Sequence, residues 1–387
     1  MKKLFKTSIY LVFILLFVFT FTACNLQSVQ NPLPSPNDQQ VIVPKENNGS
    51  TTQDIQKFTA YQQGSLRIDF IDIGQGDCIF IIFPDNKSML IDGGSTPFAN
   101  SSAIVECLNF YQIKQIDYLM LTHPHADHCN SLTAILKKYS VKEFFLPLLL
   151  PSYSKANARK LKGHYDNKTY YKFYQEVEKQ VEKGAVLNYN VGIFSIIGEN
   201  YSFDFYCYEA EAYQEISGAS SNNKVNALSP IGFLFYNEIR YCFTGDSNVE
   251  NETYFLSNYT LADIASESFL LKVAHHGSKT SSTAEFLSVI NPKVGVICVG
   301  ANIYGHPTNE ALGRLYNIGA TVYNTRDNGL ITVSQIANEV TVAPVIGESY
   351  YFFVEIFSQN MRTFSMLLYI IPHCSKKDCS IATDKEA

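Results

Sequence analysis

The sequence predicts a strand-rich α/β domain between residues 65 and 343. Short runs rich in Ile and Phe recur from Leu66 onwards, and turn residues such as Gly74-Gln75-Gly76-Asp77 separate them, which is typical of a hairpin-connected sheet. After residue 100, helix-like stretches alternate with further apolar runs, which is typical of α/β architecture. Each half of the domain therefore offers a sheet and helices to cover it.

The apolar runs and periodic stretches give the elements in order. Strands are predicted at 66–73, 78–83, 88–91, 117–121, 143–146, 202–208, 230–236, 239–243, 294–299 and 321–323, followed by a hairpin at 330–333 and 339–342. Helices are predicted at 101–111, 131–139, 168–183, 284–290 and 310–317.

The composition is that of a folded, mildly acidic protein. Of the 387 residues, 46% are hydrophobic and 17% are charged, and the formal net charge is −6. These values exclude a chain that is disordered throughout and a strongly basic, histone-like mode of nucleic-acid binding. Six cysteines lie singly in the domain and are expected to be small buried hydrophobes: Cys78, Cys107, Cys129, Cys207, Cys242 and Cys298.

The N-terminus is typical of an exported lipoprotein. Lysines precede an almost wholly apolar run at 9–21, which ends in Phe21-Thr22-Ala23-Cys24. This is a signal-peptide layout, and its end resembles the bacterial lipobox. We therefore predict a signal peptide at 1–24, a lipid on Cys24, and a protein anchored at the extracytoplasmic face of the cell membrane. A simple secreted protein and an uncleaved anchor are the alternatives.

Two segments flank the predicted domain. Residues 25–64 are rich in Asn, Gln, Ser, Thr and Pro, which predicts a disordered linker. Residues 344–387 form a C-terminal extension to which the sequence assigns no role, and its apolar runs are expected to form strands or a helix docked on the domain. Cys374 and Cys379 in this extension are the one pair spaced for a local disulfide.

An insertion at about 152–184 interrupts the α/β pattern and is locally basic. Its basic residues are Lys155, Arg159, Lys160, Lys162, Lys168 and Lys172, interleaved with Tyr153, Tyr165, Tyr170, Tyr171 and Tyr174. Such a segment is suited to hold a phosphate backbone and stack bases. The alternative is a solvated helix with a partly buried tyrosine face.

The most specific motif directly follows the predicted strand 117–121. It is the sequence Thr122-His123-Pro124-His125-Ala126-Asp127-His128. In an extended segment His123 and His125 point the same way, so two imidazoles can bind one metal ion, and the turn that follows brings Asp127 and His128 to a second ion. Chance crowding of four ligand-type side chains is the alternative, which this spacing disfavours.

Five further segments accompany the histidine cluster in the chain. They are Phe70-Ile71-Asp72-Ile73-Gly74-Gln75-Gly76-Asp77, Leu90-Ile91-Asp92-Gly93-Gly94, Phe243-Thr244-Gly245-Asp246-Ser247, Lys272-Val273-Ala274-His275-His276-Gly277-Ser278 and Asn302-Ile303-Tyr304-Gly305-His306-Pro307. With them the sequence resembles the metallo-β-lactamase fold, and more narrowly the metallo-β-lactamase-like domain of the ComEC family of competence and DNA-internalisation proteins. The resemblance implies a four-layer αββα fold, with two sheets between helices, for the catalytic domain at 65–343.

Carried over residue by residue, the resemblance also implies a ligand set. His123 and His125 would hold one metal ion, Asp127 and His128 the other, and Asp246 would bridge the two. The chemistry of the residues agrees, because Asp246 follows the predicted strand 239–243 and a carboxylate at a strand end can hold two cations together.

Three further histidines, His275, His276 and His164, have different expected roles. Neighbouring side chains diverge in an extended backbone, so we expect His276 to bind metal and His275 to face substrate. Many hydrolases of this fold place another ligand histidine before the bridging Asp, but His164, the one histidine in that interval, lies in a polar stretch and is not expected to bind. The cofactors predicted are two divalent ions, with zinc as the default for imidazole ligands and manganese as the alternative.

Five further polar residues have two open interpretations each. His306, in a Gly-His-Pro turn, either stabilises an oxyanion or protonates a leaving group, or it is bonded locally. Asp77 and Asp92 either orient ligand histidines or cap turns. Asn226 and Ser229 match an element of the same family, and they either reach the site or form a turn.

A site of this kind predicts hydrolysis. Two cations about 3.5–4 Å apart share a water and present hydroxide to an ester, while Asp127 accepts the proton and His306 or His275 assists the leaving group. We expect a membrane-tethered phosphodiesterase or nuclease whose ligand is nucleic acid or another phosphoester, and no protein partner is predicted. The alternatives are hydrolysis of another phosphoester or an acyl ester, for example a phosphocholine ester, and a non-catalytic surface lipoprotein that retains the fold.

Overall fold

The computed structural model describes residues 58–95, 99–153, 161–216, 222–259, 268–346, 350–354 and 368–372. The predicted signal peptide, Cys24, most of the linker and the pair Cys374 and Cys379 lie outside the described residues. Among the residues that are described, no helix is long and apolar enough to cross a membrane.

Within the described chain the larger sheet has ten strands. They are β1 (Leu66–Phe70), β2 (Ile79–Ile82), β3 (Ser88–Ile91), β4 (Gln115–Met120), β5 (Ser140–Leu146), β8 (Val186–Tyr189), β16 (Ile331–Ile336), β17 (Glu339–Pro344), β18 (Tyr350–Val354) and β19 (Leu368–Pro372). Their order across the sheet is β19-β18-β17-β16-β1-β2-β3-β4-β5-β8. Strands β18 and β19 of the C-terminal extension therefore continue this sheet. Strands were one of the two forms expected for the extension, and a docked helix was the other.

The second sheet, over the same described ranges, has seven strands. They are β9 (Ile193–Ile197), β10 (Tyr201–Tyr206), β11 (Ile231–Tyr236), β12 (Ile239–Phe243), β13 (Leu270–Lys272), β14 (Val294–Ile297) and β15 (Thr321–Asn324), in the order β15-β14-β13-β12-β11-β10-β9. A short parallel pair, β6 (Leu150–Pro151) and β7 (His164–Tyr165), stands apart from both sheets.

The helices cover the outer faces of the sheets. They are α1 (Ala99–Phe110), α2 (Ala126–Cys129), α3 (Leu132–Leu136), α4 (Lys168–Val181), α5 (Ala210–Gln214), α6 (Asn222–Asn226), α7 (Val249–Asn258), α8 (Ala284–Ile290), α9 (Asn309–Asn317) and α10 (Thr325–Asn328). A 3₁₀ turn at Ala274–Gly277 follows β13.

Three apolar clusters hold these layers together. The central one joins the inner faces of the two sheets, where for example the rings of Phe70 and Phe243 stack with centroids 6.4 Å apart. A second cluster lies under α1, α3 and α4, and a third lies under α7, α8 and α9. The order helix, sheet, sheet, helix confirms the predicted αββα fold. The six domain cysteines are buried, as predicted.

Several parts of the structure differ from the sequence-based expectation, among them strand β13 and helix α7, where no element was predicted. The folded body begins before residue 65, because Phe58 is buried and packs its ring 5.7 Å from that of Phe110. Strands β8 and β9 were not predicted, since both are edge strands with polar or exposed faces. In β9 the apolar run of Ile193–Ile197 is interrupted by Ser195, and Ile193 and Ile197 are 60% and 73% exposed, so the strand is not buried on both faces as the central ones are.

Candidate metal centre

The predicted site residues lie at the carboxyl ends of strands from both sheets. Strands β3 and β4 run parallel, as do β12, β13 and β14, so the carboxyl ends of each set lie together. Asp92 follows β3, His123 follows β4, Asp246 follows β12 and His276 follows β13. The topology therefore gathers side chains that are more than 150 residues apart in the chain.

Three imidazoles of the cluster after β4 are in mutual contact. His123 Nε2 lies 2.9 Å from His125 Nδ1, and the ring centroids of His123 and His128 are 4.1 Å apart. Residue His125 is still extended and α2 begins at Ala126, so the chain turns and brings His128 back beside His123. His123 and His128 are fully buried.

Asp246 lies among these histidines. Its Oδ1 is 3.3 Å from His128 Nε2, and its Oδ2 is 3.8 Å from His123 Nε2 and 3.6 Å from His276 Nε2. His276 Nε2 also lies 3.4 Å from Asp127 Oδ2. Four overlapping groups of described residues have atoms close enough to share an ion, and two of them consist of predicted ligands: His123, His128 and Asp246, and Asp127, His128 and His276. His125, which was expected to share an ion with His123, is in none of these four groups.

A layer of buried polar contacts fixes the orientation of these side chains. Asp92 accepts from the backbone and hydroxyl of Thr122, at 2.8 and 2.7 Å, and its Oδ2 is 2.8 Å from His128 Nδ1. His276 Nδ1 lies 2.7 Å from the carbonyl oxygen of Cys298 and 3.3 Å from Asp77 Oδ1, while the other oxygen of Asp77 pairs with the ammonium of Lys272. Such contacts set the tautomer of a ligand imidazole and leave its Nε2 to face the centre.

The electrostatics of the centre favour a cation. Burial opposes a charge on His276, but the carboxylates of Asp246, Asp127 and Asp77 raise its pKa to about 10. In the same way burial opposes a charge on His128, and Asp246 and Asp92 raise its pKa above the usual range. Four carboxylates thus attract protons in this buried place, and the same field would attract divalent ions.

Several buried atoms at the centre lack a hydrogen-bond partner among the described residues. These atoms are the Nε2 of His125, the Nε2 of His128, the Nε2 of His276 and the Oδ1 of Asp246. Leaving such atoms unsatisfied costs about 1–3 kcal/mol each, and imidazole nitrogen and carboxylate oxygen are the donors that zinc and manganese accept. The donor set therefore fits the two divalent ions that the fold implies.

His275 and His276 lie in a turn, which corrects the premise of an extended backbone. Both have left-handed dihedrals, with φ of 49° and 53°. His276 is buried in the ligand group, whereas His275 is 22% exposed, with its Nε2 3.7 Å from Asp246 Oδ2. The turn separates the two side chains as an extended strand was expected to do.

Three further predicted residues lie close to the centre. Ser229 Oγ is 3.3 Å from His123 Nδ1 and accepts from the backbone N–H of Asp246. Asn226 Nδ2 is 3.3 Å from His275 Nε2. The ring of His306 lies 5.4 Å from that of His275 between centroids. Burial, together with the charges of His275 and His276, lowers the pKa of His306 to about 4.

Among the described residues of the predicted insertion, Tyr165 lies beside the centre. The ring of Tyr165 lies 6.0 Å from that of His125 between centroids, whereas His164 has its Nδ1 2.8 Å from the carbonyl of Lys162 in its own loop. The helix of the insertion, α4, buries Tyr170, Phe173 and Tyr174, which is the alternative reading of this segment. Residues 154–160, with three of its basic side chains, lie outside the described residues.

Sequence reasoning missed two features of the site. Lys272 was seen only as part of a motif, yet it is fully buried and neutralises Asp77. Tyr304 is 67% exposed, and its ring is 5.9 Å from that of His306. The signal in the sequence is that Lys272 directly follows two apolar residues, Leu270 and Leu271. Such a position is typical of a buried strand and therefore indicates a buried ammonium.

Comparison with known proteins shows which family the chain resembles. Residues 71–178 match the model of the Metallo-beta-lactamase superfamily. This part of the chain is similar to a metallo-β-lactamase domain. The match spans β2 to most of α4 and includes the histidine cluster, while Asp246, His276 and His306 lie beyond it.

The chain is also similar to two longer curated proteins. The chain is 29% identical over 284 residues to ComE operon protein 3 of Bacillus subtilis, covering 68% of this chain and 32% of that protein. It is 25% identical over 281 residues to Recombination protein 2 of Haemophilus influenzae, covering 72% and 30%. The predicted resemblance is confirmed, and the chain spans about a third of the length of these curated relatives.

A solved structure with a similar arrangement is the metallo-beta-lactamase fold protein YhfI from Bacillus subtilis. The two are 8% identical, the TM-score is 0.38, and the match covers 68% of this chain and 98% of that one.

Proposed function

We propose that this protein is a metal-dependent phosphodiesterase, with nucleic acid as the favoured substrate, tethered outside the cytoplasmic membrane by a lipid on Cys24. The observation that carries the proposal is the group of buried, unpartnered ligand atoms around Asp246. Similarity to Recombination protein 2 of Haemophilus influenzae supports nucleic acid over other phosphoesters.

The proposed ligands are the residues that face this centre. They are His123, His125, Asp127, His128, Asp246 and His276. Divalent ions held by them would supply Lewis-acid and water-activating chemistry. Asp92 would hold His128 in the tautomer that presents Nε2, and the carbonyl of Cys298, with Asp77 beside it, would do so for His276. Ser229 would do the same for His123.

Three side chains on the open side of the centre would act on the substrate. Asp127 is 29% exposed, and although burial alone would raise its pKa, His276 and His128 lower it, so the carboxylate is ionised and able to accept a proton. His306 is neutral at pH 7 because its pKa is about 4. We assign to it, and to the adjacent His275, hydrogen-bond donation to an oxygen that gains charge.

The test is a hydrolysis assay on the purified protein. Protein loaded with zinc or with manganese is incubated with single- and double-stranded DNA, RNA and bis(p-nitrophenyl) phosphate, with and without chelator. We expect turnover of at least one substrate that the chelator abolishes and added metal restores. No turnover of any phosphodiester, or turnover only of an acyl ester or a phosphocholine ester in a parallel panel, would refute the proposal.

A matched pair of variants locates the activity. Asp246→Asn keeps the side-chain volume but removes the central charge, and we expect about a hundredfold or greater loss of kcat/KM. Asp327→Asn makes the same change at an exposed aspartate that is paired with Arg326, and it should leave kcat/KM unchanged.

A further inference from the structure

A second concave site lies away from the metal centre and is strongly basic. It is a cavity of about 520 Å³. Its charged lining consists of one glutamate, Glu176, and five lysines: Lys137, Lys138, Lys142, Lys179 and Lys183. In a chain with a net charge of −6 this concentration of positive charge is unusual. Lys179 and Lys183 lie at the C-terminal end of the predicted insertion, but among the described residues that line the cavity none is one of the six basic residues that the sequence singled out there.

The cavity lies at the opposite end of the strands from the metal centre. It is lined by Gln115 at the start of β4 and by Ser140 at the start of β5, together with the C-terminal end of α4. The histidine cluster follows the other end of β4. At about 3.3 Å per residue the two sites are separated by roughly 20 Å along this strand.

Three of the five lysines are available to a ligand. Lys142 pairs with Asp117 at 2.6 Å, and Lys179 pairs with Glu176 at 2.9 Å. Lys137, Lys138 and Lys183 are exposed and make no ion pair with any residue that the structure describes. Glu178 and Glu182, on and just after α4, do not line the cavity.

One half-buried contact network fixes the backbone segments that carry these lysines. Gln180 of α4 donates from Nε2 to the carbonyls of Leu136 and Tyr139, at 2.8 and 3.0 Å, and accepts from the N–H of Val141 at 2.7 Å. It thereby joins the end of α3, the start of β5 and the end of α4. The lysines on these three segments are arranged before a ligand arrives, which lowers the entropic cost of binding.

The lining favours recognition of charge rather than of a base. The one aromatic residue in it, Tyr139, is buried and donates its hydroxyl to Asn109 Oδ1 at 3.0 Å, so the described lining offers no open ring for stacking. A concave basic surface accommodates a charged chain, whereas a flat lipid surface contacts protruding residues.

We infer that this lysine-lined cavity binds the phosphodiester backbone of a nucleic-acid strand, as a site separate from the metal centre. The inference rests on the proposed function for its choice of polymer, and it deepens that function by giving the enzyme a second point of contact with its substrate. Backbone contacts of this type are independent of base sequence and weaken steeply with salt.

The test compares two triple variants of the full-length, metal-loaded protein that remove equal charge. The cavity variant carries Lys137→Gln, Lys138→Gln and Lys183→Gln. The insertion variant carries Lys162→Gln, Lys168→Gln and Lys172→Gln. Fluorescence anisotropy gives the Kd of each for a labelled 30-nucleotide single-stranded DNA over a range of salt, with a methylphosphonate oligonucleotide as the uncharged control. A gel after each measurement shows whether the DNA is intact.

We expect the cavity variant to bind the DNA about tenfold or more weakly at low salt. The slope of log Kd against log salt should fall by about 2, since each lysine accounts for roughly 0.7 on a single strand. The insertion variant should lose less affinity, and the uncharged oligonucleotide should bind neither protein. Circular dichroism and hydrolysis of bis(p-nitrophenyl) phosphate should be unchanged in the cavity variant, since the metal centre is distant.

Other outcomes would overturn the inference. These are a wild-type protein that does not bind the DNA, an equal or greater loss in the insertion variant, and binding only to vesicles that contain phosphatidylglycerol. Failure of the proposed function is seen separately, as absent hydrolysis of bis(p-nitrophenyl) phosphate and intact DNA on the gel, whatever the result of the binding assay.

Discussion

At the scale of single residues, the centre is a balance between buried carboxylates and the cations near them. Asp77, Asp92 and Asp246 are all at most 2% exposed. The ammonium of Lys272 neutralises Asp77. Asp92 and Asp246 must be neutralised by the histidines near them or by ions that these histidines bind. Because an unpaired charge costs several kcal/mol in such a place, the metal site and the stability of this edge of the fold depend on the same side chains.

This balance predicts how metal affinity changes with pH. The pKa of His276 is about 10 and that of His128 is raised, so both rings are protonated at neutral pH in the metal-free protein. A metal ion must displace these protons, and its apparent affinity should rise about tenfold per pH unit for each proton displaced between pH 6 and pH 8. Calorimetry in two buffers of different ionisation enthalpy measures the protons released. Affinity that is flat over this range would contradict the assignment of these two rings as ligands.

The buried ion pair of Lys272 gives a second prediction. Its ammonium contacts Asp77 and donates to the carbonyl of Gly245 at 3.0 Å. In Lys272→Met the carboxylate loses its partner, and we expect the free energy of unfolding without metal to fall by about 3–5 kcal/mol. Lys87→Met breaks a more exposed pair, with Asp85 at 2.8 Å, and should cost at most about 1 kcal/mol. Equal losses in urea titrations of the two variants would show that burial does not govern the Lys272 pair.

At the scale of elements, the site is made by loops that leave strand ends and approach one another closely. The loop between β1 and β2 lies directly on the histidine cluster, where the N–H of Asp77 donates to the carbonyl of Asp127 at 3.2 Å. Gly76 permits this approach, since its φ is +124° and a Cβ there would overlap that same carbonyl oxygen.

Two glycines of this loop provide a controlled test. Gly74 also has a positive φ, of +75°, but no atom lies within 4 Å of the position of its Cβ. Gly74→Ala should therefore cost only the backbone strain, about 1 kcal/mol. Gly76→Ala adds the steric overlap and should in addition weaken metal binding about tenfold, as measured by competition with a chromogenic chelator. Equal metal affinity in the two variants would mean that the loop does not set the positions of Asp77 and Asp127.

At the scale of the whole molecule, the sequence predicts the layers better than their edges. Central strands such as β2 and β14 are buried on both faces and appear as continuous apolar runs, so they were predicted. The edge strands β8 and β9 expose part of each face, and they were missed. Phe58 was assigned to a linker because its neighbours are polar, although its own ring is buried.

At the site, too, some features were predicted from the sequence and others were missed. The ligand-type residues were predicted because their chemistry is rare and their spacing is specific. The contacts of Lys272 with Asp77 and of Ser229 with His123 join residues 195 and 106 positions apart, and no local pattern predicts such pairs. The lysine-lined cavity likewise joins three segments that carry no shared motif.

The number of metal ions bound per chain tests the account most directly. Elemental analysis by mass spectrometry is performed on protein saturated with zinc or manganese and then freed of excess metal. We expect about two ions per wild-type chain. The Asp246→Asn variant should bind fewer ions, and the Asp327→Asn variant should bind as many as the wild type. Fewer than one ion per wild-type chain would contradict it, because the buried histidines and carboxylates would then need another explanation.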